Sequence, residues 1–176
     1  DGDEVDDDEV AASLGPPHFP ELPTEPDPDS DIPIERQQLA LDLHARLYEV
    51  TQRALHTGEY DEDELAEVMT GELLESTLES FERRKADGIV SRSRDATIPW
   101  VRVVEAEREI VVHECRIAGP GTGTFDIETG QVVGDRVEEP AGAILEVVYE
   151  PTVHDDEPGH RAIERTAFSD EESCNA

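Results

Sequence analysis

Positively charged residues are scarce in this chain, and lysine is nearly absent. The 176 residues include 14 Lys and Arg against 45 Asp and Glu, which gives a net charge of −31, and Lys85 is the single lysine. Such a field repels nucleic acid and anionic lipid head groups. The composition therefore argues against nucleic-acid binding. It leaves open an acidic protein that mimics a nucleic acid and captures a basic partner.

Long apolar runs are also missing. No run of about 18 apolar residues occurs, so the sequence predicts no transmembrane segment. The chain begins with Asp-Gly-Asp-Glu-Val and shows no signal peptide. We interpret this start as that of a trimmed or mature chain, and a lipid anchor upstream of residue 1 is an open expectation.

The motifs of common catalytic and metal sites are absent as well. The six histidines form no HExxH or HxxxH pair, and no Gly-x-Ser-x-Gly or Walker loop occurs. The run from His154 to His160 contains acids that could gather around a metal, but its Pro-Gly pair is typical of a hairpin turn. Residues 61–64 lack the spacing of an EF-hand loop. The sequence therefore predicts no catalytic residue, no metal site and no cofactor.

Only two cysteines occur, Cys115 and Cys174. Cys115 lies in an apolar, strand-like run, and Cys174 follows the last such run. A bridge between them would close a loop of about 60 residues and pin the end of the last strand to the sheet. Structural disulfides are typical of exported proteins, so the pair predicts an extracytoplasmic, secreted or surface protein. The alternative is an intracellular, halophilic protein with two free thiols.

The chain divides into an N-terminal segment and one domain. Residues 1–35 contain thirteen acids and no Lys or Arg, and prolines recur between residues 16 and 33. High charge, frequent proline and few large apolar groups are typical of disordered chain. We therefore predict a disordered acidic stalk over residues 1–33 and a folded domain over residues 34–176.

The first half of the domain has helical periodicity. An apolar stripe of Leu39, Leu43, Leu47, Val50 and Ala54 predicts a helix over residues 34–57, which Gly58 would end. A capping box of Asp61 and Glu64 predicts a second, short helix. A third helix should follow Thr70 and end at Gly88.

After Gly88 the period changes to that of strands. Strands are predicted over residues 89–94, 98–105, 109–117, 125–127, 131–133, 143–153 and 161–168. Helices followed by antiparallel strands define an α+β fold. One face of the sheet should be buried against the long first helix.

Four segments together resemble a known family. They are Thr70-Gly71-Glu72-Leu73-Leu74, the passage from Lys85 to Val90, His113-Glu114-Cys115, and the hairpin from Phe125 to Val132. In this order, with a closing cysteine, they resemble the NTF2-like (SnoaL-like, cystatin-like) domains of exported lipoproteins from high-GC Gram-positive bacteria. The resemblance covers residues 34–174.

The resemblance implies a cone, in which three N-terminal helices pack in a curved antiparallel sheet with a cavity at the open end. Tyr48, Trp100, His113 and Tyr149 are candidates to line that cavity, and core or rim positions are the alternative for each. The expected function is non-enzymatic binding of a protein partner or a small ligand. A ketosteroid-isomerase-like enzyme, with a carboxylate base in the cavity, is the main alternative.

Overall fold

The computed structural model describes Leu14 and residues 17–134, 136–154, 157–168 and 174. In these residues three helices precede six strands, as the α+β prediction requires. The helices are α1 (Ile34–Thr57), α2 (Glu62–Val68) and α3 (Gly71–Ala86). The strands are β1 (Ile89–Arg92), β2 (Thr97–Ala106), β3 (Ile110–Ala118), β4 (Gly123–Asp126), β5 (Ala141–His154) and β6 (Glu157–Phe168).

The end of α1 and the start of α2 are formed by the residues that the sequence analysis identified. Gly58 ends α1 in the left-handed conformation, at φ 74°, and its amide donates to the Ala54 carbonyl at 3.0 Å. The Asp61 carboxylate accepts from the amides of Asp63 and Glu64 at 2.9 and 3.1 Å, so it caps α2. These contacts confirm the predicted bounds of α1 and the cap of α2.

The buried face of α1 differs from the predicted stripe. Leu47, Val50 and Ala54 are buried, but Leu39 is 41% exposed and Leu43 is only half-buried. The face is rotated because polar side chains also point inward. The buried residues of α1 are Gln37, Ala40, Leu41, His44, Leu47, Val50, Thr51, Gln52, Ala54 and His56.

The strands form two antiparallel sheets. Four strands pair in the order β2-β3-β5-β6, and β1 pairs with β4. Side chains alternate along β3, and Ile110, Val112 and Glu114 are almost completely buried. Helix α1 packs against β2, β3 and β6. The expectation that the sheet buries one face against the first helix is therefore confirmed.

The outer strand β2 pairs irregularly with β3. Its register shifts once between Thr97 and Trp100, where Pro99 lies, and again between Val103 and Glu105. Regular pairing is thus limited to the four residues between the shifts and to the strand's two ends. Such irregularities are typical of edge strands.

The N-terminal segment differs from the predicted stalk. Residues 17–32, which we call the strap, lie along α1 and contact it at both ends. Pro20 is buried and its carbonyl accepts from the Tyr48 hydroxyl at 2.8 Å. Gln37 makes three hydrogen bonds, two with the backbone of Asp27 and one with the carbonyl of Ile32. Contacts with the domain therefore begin before residue 33, while residues 1–13, 15 and 16 lie outside the described residues.

Candidate functional site

A buried polar network joins α1 to the centre of the sheet. His44 Nε2 lies 2.9 Å from Glu114 Oε2, and His44 Nδ1 lies 2.8 Å from the hydroxyl of Tyr149. His44 is 2% exposed, and Glu114 and Tyr149 are both 0% exposed. Three elements, α1, β3 and β5, thus each contribute one polar side chain to this network.

The sequence places these residues inside through ordinary periodicity. His44 lies one helical turn from both Ala40 and Leu47, on the buried side of α1. Glu114 follows Ile110 and Val112 at alternate positions of β3, so it shares their buried face. Both residues therefore occupy positions that an apolar side chain would normally fill.

Arg116 and Tyr48 extend the network toward the surface. The Arg116 Nε donates to Glu114 Oε1 at 2.6 Å, and its Nη2 lies 2.5 Å from the same oxygen. The Arg116 guanidinium also stacks over the Tyr48 ring at 5.4 Å from the ring centre. Tyr48 in turn holds the strap through the Pro20 carbonyl. A continuous set of contacts thus connects the buried carboxylate to the N-terminal segment.

The surroundings keep Glu114 ionised and Tyr149 protonated. Burial raises the pKa of Glu114, but the hydrogen bond from His44 and the charge of Arg116 outweigh it, so that the net pKa lies below its ordinary value. Burial raises the pKa of Tyr149 well above its ordinary value, and the Glu114 charge adds to this. An ionised carboxylate has no hydrogen to donate, so Nε2–H of His44 is the donor in its bond with Glu114.

The space beside this network is almost closed. A cavity of about 10 Å³ lies among His44, Tyr48, Glu114, Arg116 and Val147. This volume is about that of one water molecule or less. Both Glu114 oxygens already accept hydrogen bonds, so the arrangement can hold the helix on the sheet but has no room for a substrate beside the carboxylate.

The four predicted cavity residues do not lie together. Tyr48 and Tyr149 are on the helix side of the sheet, whereas His113, which precedes Glu114, points to the opposite face. Trp100 is paired in register with Cys115 and shares that opposite face. One cavity lined by all four residues is therefore incorrect, because adjacent strand residues alternate in direction.

On that opposite face the two residues have contacts of their own. The Arg102 guanidinium stacks over the Trp100 ring at 4.4 Å. His113 Nε2 lies 2.7 Å from Glu146 Oε2, and both side chains are about one third exposed. These contacts are typical of a half-exposed sheet surface.

The two cysteines lie at disulfide-bonding distance. Their Cα atoms are 5.4 Å apart, and both residues are buried. The predicted link between the middle of β3 and the region after β6 is thus present. It covers the sheet face opposite to α1, because Cys115 is adjacent to Glu114 along β3.

His56 is a second buried histidine of α1, without a carboxylate beside it among the described residues. It is 1% exposed, and burial together with the nearby Arg92 lowers its pKa to about 4. The ring of Phe19 packs edge-on against it, with ring centres 5.0 Å apart. Arg92 Nη1 donates to the His56 carbonyl. Among the described residues, His56 Nδ1, Gln52 Nε2, Arg92 Nε and, on the opposite sheet face, Trp100 Nε1 are buried without a hydrogen-bond partner.

Sequence reasoning missed His44, Glu114 and His56 as interior residues. The signal was present, since each lies at a buried phase of its helix or strand.

In the described residues no group of three or more His, Cys, Asp or Glu side chains could hold a metal ion. Asp155 and Asp156, which belong to the run from His154 to His160 considered as metal ligands, lie outside the described residues. None of the described helices combines the length and apolarity that crossing a membrane requires.

No protein-family model and no curated protein sequence matches this chain. Among solved structures, the chain is similar to the intermembrane space region of the chloroplast protein ARC6. The superposition has a TM-score of 0.52 with 11% sequence identity, and it covers 74% of this chain and 95% of the other. At this identity the similarity concerns the fold alone.

Proposed function

We propose that this protein is an exported, non-enzymatic NTF2-like domain that binds a protein partner through its surface. The observation that carries the proposal is the closed interior. The space beside Glu114 measures about 10 Å³, far below the several hundred Å³ of a ligand pocket. Two larger hollows, of about 500 Å³ beside Leu43 and about 540 Å³ beside the strap, open at the surface rather than in the interior. Partner recognition is thereby left to the outer surface.

Two further observations support the proposal. The Cys115–Cys174 pair at bonding distance is typical of proteins that fold in an oxidising compartment. The order of helices and strands, with a long helix against an antiparallel sheet, agrees with the family resemblance noted for residues 34–174.

The enzyme alternative requires a carboxylate that can take a proton from a substrate. Glu114 is the buried carboxylate beside a histidine and a tyrosine, as such an enzyme would need. However, Arg116 and His44 occupy both of its oxygens and lower its pKa. A general base works best with a pKa near the operating pH. The geometry therefore favours a structural role for Glu114.

A titration with apolar probes tests the closed interior. We expect neither a steroid nor 1-anilinonaphthalene-8-sulfonate to bind saturably to the folded chain in a fluorescence titration. The matched control is Leu47→Ala, which removes a buried side chain next to the network and should admit benzene, a probe small enough for the new cavity, that the unmodified chain excludes. Saturable one-to-one binding to the unmodified chain would contradict the proposal and favour the enzyme.

Photo-crosslinking in intact source cells tests partner binding. A photoreactive phenylalanine analogue would replace, one at a time, four exposed apolar residues in separate parts of the surface: Phe19, Val104, Ile127 and Val153. We expect at least one position to give a discrete adduct with another protein, while the others give none. No adduct at any position would contradict partner binding.

A thiol titration of the native protein tests export. It should detect no free thiol, and two free thiols would contradict export.

A further inference from the structure

The two ends of the strap are attached with different strength. Near α1, Gln37 holds residues 27–32 by three hydrogen bonds of 2.7–3.0 Å. At the other end, the attachment consists of the Tyr48–Pro20 hydrogen bond, the burial of Pro20 and the contact of Phe19 with His56. Phe19 remains 41% exposed despite this contact. The distal end can therefore be released while the Gln37 end stays in place.

The surface beneath the distal end offers contacts that another segment of similar composition could also make. Burial raises the pKa of Tyr48 to about 12, so its hydroxyl stays protonated and donates to a backbone carbonyl. The imidazole of His56 can pack edge-to-face with an aromatic ring, as it does with Phe19. Among the described residues, the only backbone hydrogen bond of residues 18–26 is the one that Pro20 accepts. An extended proline-rich segment suits such a surface, because it needs no backbone N–H partners.

The strap does not satisfy every polar group beneath it. Tyr48, Gln52 and His56 lie one turn apart on one face of α1, and the strap contacts the first and the last. Between them, Gln52 Nε2 is buried without a partner among the described residues, as is His56 Nδ1. Buried polar groups are normally hydrogen-bonded. Gln52 Nε2 thus remains available as a donor, and His56 Nδ1 as a donor or an acceptor according to its tautomer, to a ligand with polar groups that the strap does not place there.

We infer that the α1 face of Tyr48, Gln52 and His56 is a docking groove for a proline-rich segment of a partner protein, and that the strap occupies it in the free protein. The partner segment carries an aromatic–proline pair, which takes the places of Phe19 and Pro20. This inference rests on the proposed function and names the site and the partner class. The strap acts as a tethered competitor, whose effective concentration is in the millimolar range for a short flexible link.

The test compares the full-length chain with a full-length variant whose strap is loosened, Phe19→Ser with Pro20→Gly. The probe is a fluorescent synthetic peptide with the sequence of residues 14–26, LGPPHFPELPTEP. In fluorescence anisotropy we expect saturable binding to the loosened chain, at least about tenfold tighter than to the wild type. The matched control, Glu21→Gln at an exposed strap position, should bind the probe as weakly as the wild type does.

Two further variants identify the groove. Adding Tyr48→Phe to the loosened chain removes only one hydroxyl and should weaken peptide binding several-fold. A peptide with Ser and Gly in place of Phe19 and Pro20 should not bind. Circular dichroism and a thermal melt would verify that the loosened chain is folded. A folded, loosened chain that does not bind the peptide, or equal binding to both chains, would overturn the inference.

Sedimentation of the wild-type chain tests whether the strap of a second copy occupies the groove. A dimer that Phe19→Ser dissociates would assign the groove to the strap of a second copy and would overturn the assignment to a partner. The outcomes also remain distinct from those of the proposed function. Crosslinks to a partner at Val104, Ile127 or Val153 without peptide binding would refute the groove alone. Peptide binding without any crosslinked partner would refute partner binding in the source cells.

Discussion

Two histidine–carboxylate pairs on opposite faces of the sheet differ in burial far more than in geometry. His44 and Glu114 lie 2.9 Å apart with side chains 2% and 1% exposed. His113 and Glu146 lie 2.7 Å apart with side chains 30% and 31% exposed. Glu114 and His113 are neighbours on β3, so one step along the strand separates a pair shielded from water from one that water reaches. Equal distances therefore do not imply equal contributions to stability.

The largest expected effect comes from breaking the buried pair. Glu114→Ala should lower the free energy of unfolding by about 3–5 kcal/mol, because it leaves the Arg116 charge and the His44 donor without an acceptor. Urea unfolding at neutral pH measures this. As a control, replacing the whole buried set, with His44→Leu, Glu114→Met, Arg116→Met and Tyr149→Phe, should cost less than Glu114→Ala alone, because no polar group is then left without its partner. A loss below about 1 kcal/mol for Glu114→Ala would make the two pairs equivalent.

His56, the buried histidine without a carboxylate, should make the free energy of unfolding depend on pH. The folded-state pKa of His56 is about 4, below its ordinary value of 6.5, so the unfolded chain binds a proton first as the pH falls. This stabilisation is complete above pH 6.5 and is lost as the pH falls toward 4, by roughly 3 kcal/mol. Glu114 adds a separate loss below its ordinary value of 4.5.

Unfolding free energies measured from pH 7 to pH 4 test this effect. The variant His56→Gln keeps a polar side chain but cannot titrate, and its profile should be flatter over this range than that of the wild type. Parallel profiles for the two chains would show that His56 is not buried in its neutral form.

A smaller loss is expected from the third member of the buried network. Tyr149→Phe removes only the hydroxyl that lies 2.8 Å from His44 Nδ1. It should cost about 1–3 kcal/mol, because a buried ring nitrogen loses its partner. Thermal or urea unfolding measures it, and a variant as stable as the wild type would mean that water replaces the hydroxyl.

The smallest effect is expected for the exposed pair. Glu146→Ala should change the free energy of unfolding by about 0–1 kcal/mol, because water solvates His113 once the carboxylate is gone. Repeating the measurement in 1 M NaCl should reduce even this difference. A loss comparable to that of Glu114→Ala would show that strand position, rather than burial, sets the contribution of each pair.

The sequence predicted the helices and most strands well, because these depend on local pattern. The bounds of α1 follow from its apolar spacing and from Gly58, and β3 and β5 follow from runs of Val and Ile. The cysteine pairing followed because each cysteine had only one candidate partner. The assignment of the sheet to an NTF2-like cone remains a prediction.

The site could be predicted only in part. Periodicity indicates that His44 and Glu114 are buried, but 70 residues separate them, and only tertiary packing brings them together. The strap was interpreted from its composition as disordered, since its few anchors depend on Gln37 and Tyr48 of a distant element. Contacts between a proline-rich segment and a helix face leave no periodic signal in the sequence.

The irregular pairing of β2 has a consequence for the protein at high concentration. An exposed edge strand is a template on which another chain can add a strand, and repeated addition leads to aggregates. In β2 the shifts near Pro99 and near Val104 divide that edge, so no uninterrupted pairing run exceeds the four residues from Trp100 to Val103. Proline also lacks the N–H that an added strand would require. This edge of the sheet is therefore poorly suited to growth into fibrils or open-ended oligomers.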